Sequence, residues 1–142
     1  MITATIVAKD IKEKWFIVDA AGVTLGKLSS KVAHLLRGKN LAKFSPHVNF
    51  QQKVVIINAA KVNVTGKKMD DKIYYHHTGY IGNLKQISLG NLMKKHPCRA
   101  IEYAIKGMLP HNRLGRALFR NVFVYADETH KHSAQKPEAY AI

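Results

Sequence analysis

VVII, at residues 54–57, is the most apolar run of four residues in this chain, and it decides the predicted fold. A short run that is apolar throughout and rich in β-branched side chains is typical of a strand buried on both faces, as at the centre of a parallel sheet. A second such run, WFIV, occupies residues 15–18, and the segment between the two has helical length and periodicity. Strand, helix and strand in this order indicate a βαβ unit.

The remaining segments extend this unit into one α/β domain. A helix is predicted over residues 24–37, ended by Gly38, and further helices are predicted between residues 88 and 120. VFVY, at residues 122–125, is predicted to be the last strand. We expect a single domain, with a central, mostly parallel sheet of about four strands flanked by helices on both faces. The domain is expected to cover residues 1–142, with irregular segments at residues 1–13 and 126–142.

The charge of the chain is strongly positive. Its 142 residues include 23 lysines and arginines against 9 acidic residues, a formal net charge of +14. The excess is spread along the chain, with nine basic against three acidic residues in residues 1–60 and fourteen against six in residues 61–142. A basic domain of this kind is typical of nucleic-acid binders, and a hydrophobic content of 46% predicts a packed core rather than disorder.

Cysteine content and hydropathy indicate the compartment. The single cysteine, Cys98, excludes an internal disulfide and fits a reducing environment. The N-terminal sequence lacks the apolar core of a secretory signal, and no apolar run approaches the ~20 residues of a membrane span. We therefore expect a cytoplasmic protein with no membrane partner.

KGMLPHNRLGRALFR, at residues 106–120, is the most concentrated basic stretch, and it contains no carboxylate. After its proline, Arg113, Arg116 and Arg120 have the i, i+3, i+7 spacing of one helical face, while the leucines point to the other side. Like charges on one face repel each other, so the helix alone is destabilised by them. A dense polyanion would reverse that effect, which favours nucleic acid as the partner.

Two weaker basic surfaces precede this stretch. Lys27 and Lys31 share a face of the first predicted helix, and Lys39 and Lys43 lie in the basic loop that follows it. A solvated helix face is an equally good interpretation of the first pair.

Residues 66–85 combine lysines with aromatic rings and glycines. In one interpretation, lysines neutralise phosphates while the rings stack on bases, as at RNA surfaces, where unstacked bases are accessible. In the other, the tyrosines are partly buried residues that line a loop. We favour the first, with these candidate residues: Lys67, Lys68, Lys72, Tyr74, Tyr75, His76 and His77.

A nucleotide-binding α/β enzyme is the main alternative. GVTLGKL, at residues 22–28, follows a strand and opens a helix like a phosphate-binding P-loop, but it is one residue short and has leucine where Ser or Thr must bind Mg²⁺. We interpret Gly26 instead as allowing close packing in the first helical turn. Asp19, at a strand end, could be catalytic in a doubly wound fold, yet capping of the following turn explains it better.

Other candidates for chemistry are weaker still. His130 and His132, beside Asp127 and Glu128, are better interpreted as a solvated tail than as a metal site. Cys98 is interpreted as a small core residue, although a thiol near a helix N-terminus can have thiolate character. No motif combines a nucleophile, a base and an orienting group. We therefore expect no catalytic site, metal, cofactor or small-molecule substrate.

Several motifs together resemble one known family, that of bacterial large-subunit ribosomal protein L thirteen. The resemblance covers nearly the whole chain, in order. Its blocks are WFIVD with AAGVTLG (15–26), LRGK (36–39), PHV (46–48), NAAKVNVTG (58–66), YYHHTG (74–79), KGMLP (106–110), LGR (114–116) and VFVY (122–125). The sequence departs from the family pattern at His111 and Asn112, where members commonly have a positive residue or glycine.

The resemblance implies an α/β fold of parallel strands and helices, direct binding of large-subunit rRNA, and an early role in assembly of that subunit. It also implies that neighbouring ribosomal proteins are partners, and it implies no catalytic activity for this chain. A regulatory role in binding mRNA would use the same surfaces. The residues expected to bind rRNA are Lys27, Lys31, Lys39, Lys43, Lys67, Lys68, Lys72, Tyr74, Tyr75, His76, His77, Lys106, Arg113, Arg116 and Arg120.

Overall fold

The structure, a computed structural model, describes residues 11–142. The first long helix begins and ends within a residue of the predicted range 24–37. The elements are β1 (Lys14–Asp19), α1 (Leu25–Leu36), β2 (Gln52–Ile57), α2 (Lys68–Asp71), β3 (Ile73–His77), β4 (Leu84–Ser88), α3 (Leu89–Lys95), α4 (Pro97–Met108), α5 (Arg113–Phe119), β5 (Val122–Val124) and β6 (Glu138–Ala139).

Four of the strands form a parallel sheet in the order β5-β2-β1-β6. The apolar run at residues 54–57 lies in β2, which is paired with a parallel strand on each side. This position explains why β2 has no polar alternation, since Val54, Val55 and Ile56 are all fully buried. The predicted α/β fold class, with a mostly parallel sheet of about four strands, is confirmed.

The main core lies on one face of this sheet. Val18, Val54 and Ile56 of the strands contact buried side chains of α1, α4 and α5, among them Leu28 and Ile101. Burying each large aliphatic side chain contributes about 1.5–3 kcal/mol, so this layer supplies most of the stabilisation. These three helices therefore lie together on one side of the sheet.

Aromatic rings cluster on the opposite face of the sheet. Trp15 and Phe123 alternate with the core residues along β1 and β5, and their rings stack at 5.5 Å. The His132 ring, from the C-terminal segment, lies 5.0 Å from Trp15 and 4.5 Å from Phe123. In the part of the chain that the structure describes, this segment contributes to the second covering layer.

The C-terminal segment is more ordered than predicted. The prediction of an irregular segment over residues 126–142 is wrong for β6, which pairs in parallel with β1. The Tyr140 N–H donates to the Ile17 carbonyl at 2.9 Å, and the Tyr140 ring meets Phe16 edge-on. A two-residue strand has no periodicity for the sequence to display. At the other end, residues 11–13 have no regular structure, and residues 1–10 of the expected irregular segment lie outside the described residues.

A second, two-stranded sheet was not predicted. β3 and β4 pair antiparallel, from Ile73 opposite Ser88 to His77 opposite Leu84. Most of their side chains are exposed, so the strands lack the apolar alternation by which a sequence reveals a strand. No helix within residues 11–142 is long and apolar enough to cross a membrane.

The bend between α4 and α5 depends on a close approach of backbone atoms. A Cβ atom added to Gly115 would overlap the Pro110 carbonyl oxygen, which cannot move without moving the chain. Gly107, in α4, has no neighbour within 4 Å of the same hypothetical atom.

We therefore expect the same substitution to act in opposite directions at these two glycines. Gly115→Ala should lower the free energy of unfolding by about 1–3 kcal/mol, because the helix ends must separate. Gly107→Ala should raise it by about 0.5–1 kcal/mol, because alanine loses less backbone entropy in a helix. Urea unfolding measures both, and equal effects would contradict the close approach.

Candidate nucleic-acid interface

The arginine face of α5 is held by a capped turn. The Asn112 side-chain oxygen accepts a hydrogen bond from the Gly115 N–H at 2.8 Å, which satisfies one of the free donors of the helix start. Arg113, Arg116 and Arg120 are exposed, whereas Leu118 on the other side is buried. The departure from the family pattern at Asn112 thus has a local role, since asparagine is a preferred N-cap.

The lysines of α1 and of the loop after it also lie in solvent. Lys27 and Lys31 are exposed on α1, and Lys39 and Lys43 are exposed in the loop. The sequence did not single out Phe44, whose ring lies 5.9 Å from the Arg37 guanidinium carbon and stacks near Phe50. Its position as an aromatic residue beside the basic residues of the loop could have identified it from the sequence.

The β3–β4 hairpin separates the two adjacent tyrosines. Tyr75 is 61% exposed, while Tyr74 is half-buried with its ring 5.5 Å from that of Tyr103 in α4. The Lys72 ammonium lies 5.3 Å from the centre of the Tyr74 ring. Burial raises the pKa of the Tyr74 hydroxyl, and the neighbouring Tyr103 adds to that rise. Tyr74 therefore belongs to the body of the protein, and Tyr75 belongs to an exposed surface.

His76 and His77 alternate in the same way. Both are exposed, but they point to opposite faces of β3, and the His77 Nδ1 accepts a hydrogen bond from the Gly79 N–H at 3.0 Å. The hairpin continues into an exposed end, where Tyr80 is 76% exposed.

A cleft of about 510 Å³ lies between the start of α1, the segment from Asn63 to Tyr74, and α4. Gly26 of α1, Lys68 and Lys72 from residues 66–85, and Tyr103 and Gly107 of α4 line it. A Cβ atom at Gly26 would meet nothing within 4 Å, so the interpretation that Gly26 allows close packing is wrong. The sequence analysis did not single out Tyr103, although it is an aromatic residue on the exposed face of a helix.

The positive charges of these surfaces are not neutralised internally. All eleven lysine and arginine candidates, including Lys106, are exposed. Among residues 11–142 the single ion pair joins Lys53 Nζ to Glu13 Oε1 at 2.6 Å, and neither belongs to the candidate set. Unneutralised exposed cations produce a positive potential that attracts a polyanion.

Asp19 has a structural role. Its carboxylate accepts hydrogen bonds from the Ala21 N–H and the Asn58 side-chain amide, each at 2.9 Å. Both hydrogen bonds lower the pKa of the Asp19 carboxyl below its ordinary value, and the one from the Ala21 N–H has the larger effect. The interpretation that Asp19 caps the turn after β1 is confirmed.

The remaining reactive side chains also have ordinary surroundings. Burial raises the pKa of the half-buried Cys98 thiol, and Glu102 adds to that rise, so thiolate character is disfavoured. His132 packs on Trp15 and Phe123, which corrects the expectation of a solvated tail at this residue. Across residues 11–142, no group of three His, Cys, Asp or Glu side chains is placed to hold a metal ion.

The lowered pKa of Asp19 predicts how its contribution to stability depends on pH. The ionised carboxylate stabilises the fold above the unfolded-state pKa, about 3.9, and this stabilisation is lost as the pH falls through the lower folded-state pKa. The loss of unfolding free energy caused by Asp19→Ala should therefore be largest near neutral pH and shrink below about pH 4.

Urea titrations from pH 7 to pH 3 measure this difference. Asp70→Ala is the control, since Asp70 is exposed and its carboxylate accepts no hydrogen bond within the described residues. A difference that stays constant down to pH 3 would contradict the role given to Asp19.

The chain is similar to one family of known proteins over most of its length. The profile of the family described as Ribosomal protein L13 matches residues 13–131. The chain is 58% identical over 128 residues to large ribosomal subunit protein uL13 of Agathobacter rectalis, covering 90% of each chain. It is 53% identical over 142 residues to the protein of that name from Francisella philomiragia, covering 100% of both. The protein of that name from Teredinibacter turnerae is 51% identical over 139 residues, covering 98% of each.

Proposed function

This chain belongs to the ribosomal protein L13 family, and from this premise we propose that it is a structural constituent of the large ribosomal subunit. It binds large-subunit rRNA through its basic surfaces and acts early in assembly of the subunit. Because the relatives described above are bacterial, its place is the cytoplasmic bacterial ribosome.

One observation on the surface supports this proposal independently of family membership. The eleven candidate cations are exposed, and within the described residues none of them forms an ion pair. Exposed cations gain little from internal ion pairs but much from phosphates, because each phosphate contact releases counterions from the nucleic acid. The surface is thus suited to a partner that brings many negative charges.

The bend before α5 suggests how the protein organises RNA. Lys106 lies in the last turn of α4, whereas Arg113, Arg116 and Arg120 follow the bend. Since Gly115 and Pro110 hold the two helices in close approach, the cations before and after the bend are presented in a fixed relation. A rigid pair of cationic surfaces can hold phosphates from different RNA segments at a set distance, which is the contribution expected of an early assembly protein.

The finer assignments follow from the same surfaces. The contacts to phosphate are assigned to the lysines and arginines, and the contacts to bases or ribose to the exposed rings of the hairpin. Neighbouring ribosomal proteins are further partners. Messenger RNA would use the same surfaces, and competition between rRNA and the chain's own leader transcript tests for it. No catalytic activity or small-molecule substrate is assigned.

The assignment of Arg116 predicts the salt dependence of binding. Arg116→Ala should weaken binding of deproteinised large-subunit rRNA and reduce the slope of log K against log salt concentration by about one, because one phosphate contact is lost. Arg116→Lys, which keeps the charge, should leave the slope close to that of the unmodified protein.

Filter binding at several salt concentrations measures these slopes. Lys53→Ala is a further control, because the Lys53 ammonium is already paired with Glu13. If Arg116→Ala folds normally and the slope does not change, Arg116 does not contact phosphate.

A further inference from the structure

We propose that the cleft between α1, α2 and α4 holds one unpaired nucleotide of the bound RNA, with its base on the Tyr103 ring and its phosphate at Lys68 and Lys72. The inference rests on the proposed function, since it specifies how the same surface engages RNA. It adds a base-binding site to an interface that otherwise consists mainly of cations.

The size of the cleft selects one nucleotide. Its volume of about 510 Å³ falls within the usual range of small-ligand pockets, roughly 300–1,000 Å³. A duplex has its bases stacked inside and cannot place one in such a space. RNA instead offers unstacked bases in loops and bulges, and aromatic side chains bind these by stacking.

The two tyrosines of the cleft have different roles. The ring of Tyr74 is half-buried, and the Lys72 ammonium lies 5.3 Å from its centre, so this face is already covered. Tyr103 is 45% exposed and is supported from the side by Tyr74, with the ring centres 5.5 Å apart. Tyr103 is therefore the ring that is free to accept a base.

The charged groups of the cleft are suited to a phosphate. Lys68 Nζ donates a hydrogen bond to the Thr65 hydroxyl at 3.2 Å, which holds the ammonium beside the opening. Lys72 is the second cation, and no carboxylate of the described residues lines the cleft. The other walls are formed by apolar side chains such as Val64 and Leu89, which suit a base rather than a second phosphate.

Two glycines keep the cleft open. Gly26 and Gly107 belong to helices α1 and α4, and a Cβ atom at either would meet nothing within 4 Å. Neither glycine is required by a positive φ. A glycine inside a helix is less stable than an alanine, so local stability does not account for either residue. The space that they leave is lined by the cleft's cations and rings.

The test fills the cleft without removing a charge. Gly107→Leu places a good helix former in open space, so it is expected to fold, and Gly107→Ala is the matched control that leaves most of the volume free. The probe is large-subunit rRNA substituted with 4-thiouridine, cross-linked by near-ultraviolet light to the full chain and followed by mass spectrometry.

The unmodified protein and Gly107→Ala should cross-link at the peptide that contains Tyr103. Gly107→Leu should lose this cross-link and bind the rRNA on the order of tenfold more weakly, as expected for loss of one stacked base. Its salt slope should be unchanged, because leucine displaces the base while Lys68 and Lys72 still contact the phosphate at the opening. Tyr103→Ala should behave like Gly107→Leu, whereas Tyr103→Phe should retain the cross-link because phenylalanine still stacks.

Three outcomes would overturn the inference. Equal binding and equal cross-linking by Gly107→Leu and the unmodified protein would show that no nucleotide enters the cleft. Cross-links confined to residues outside the cleft would lead to the same conclusion. Saturable binding of free 5′-UMP or 5′-AMP that Gly107→Leu abolishes would identify a free nucleotide as the occupant. In the first two cases salt-dependent rRNA binding by the unmodified protein would persist, whereas its absence would contradict the proposed function itself.

Discussion

The parallel pairing of β1 with β2 is the interaction on which the rest of the structure depends. Parallel strands need a crossover, and here the crossover contains α1, which is thereby held against the core face of the sheet. The strand ends are joined by the Asp19–Asn58 hydrogen bond. Just beyond them, the Leu25 N–H donates to the Asn63 carbonyl at 3.0 Å. The first turn of α1 is therefore fixed beside the segment that leads into α2, and the cleft forms at this junction.

The electrostatics of the surface oppose this compact fold. A formal net charge of +14 on 142 residues produces self-repulsion, and within the described residues a single ion pair offsets it. The buried aliphatic layer between the sheet and α1, α4 and α5 supplies the opposing stabilisation. Such a protein holds the backbone that carries its cations in place before a partner binds, so binding does not include the cost of ordering the chain.

Local sequence patterns were sufficient to predict the helices and strands in which apolar or charged residues recur in a regular pattern. The fully apolar run in β2, the helical periodicity of α1 and the arginine spacing of α5 all predicted their elements. The β3–β4 hairpin and β6 were missed because exposed or very short strands have no apolar alternation to detect. The cleft could not be predicted either. It depends on contacts such as that between Tyr74 and Tyr103, which are far apart in the sequence, and Gly26 was misinterpreted for the same reason.

The central claim, that this chain is part of the large ribosomal subunit, is tested most directly by sedimentation. A lysate of cells that express the chain is separated on a sucrose gradient at low and at high salt, and the fractions are probed for it. The account predicts that the chain sediments with the large-subunit peak and the intact ribosomes, and leaves the free-protein fractions nearly empty. A chain that stays at the top of the gradient at low salt, while other large-subunit proteins sediment normally, would contradict the account.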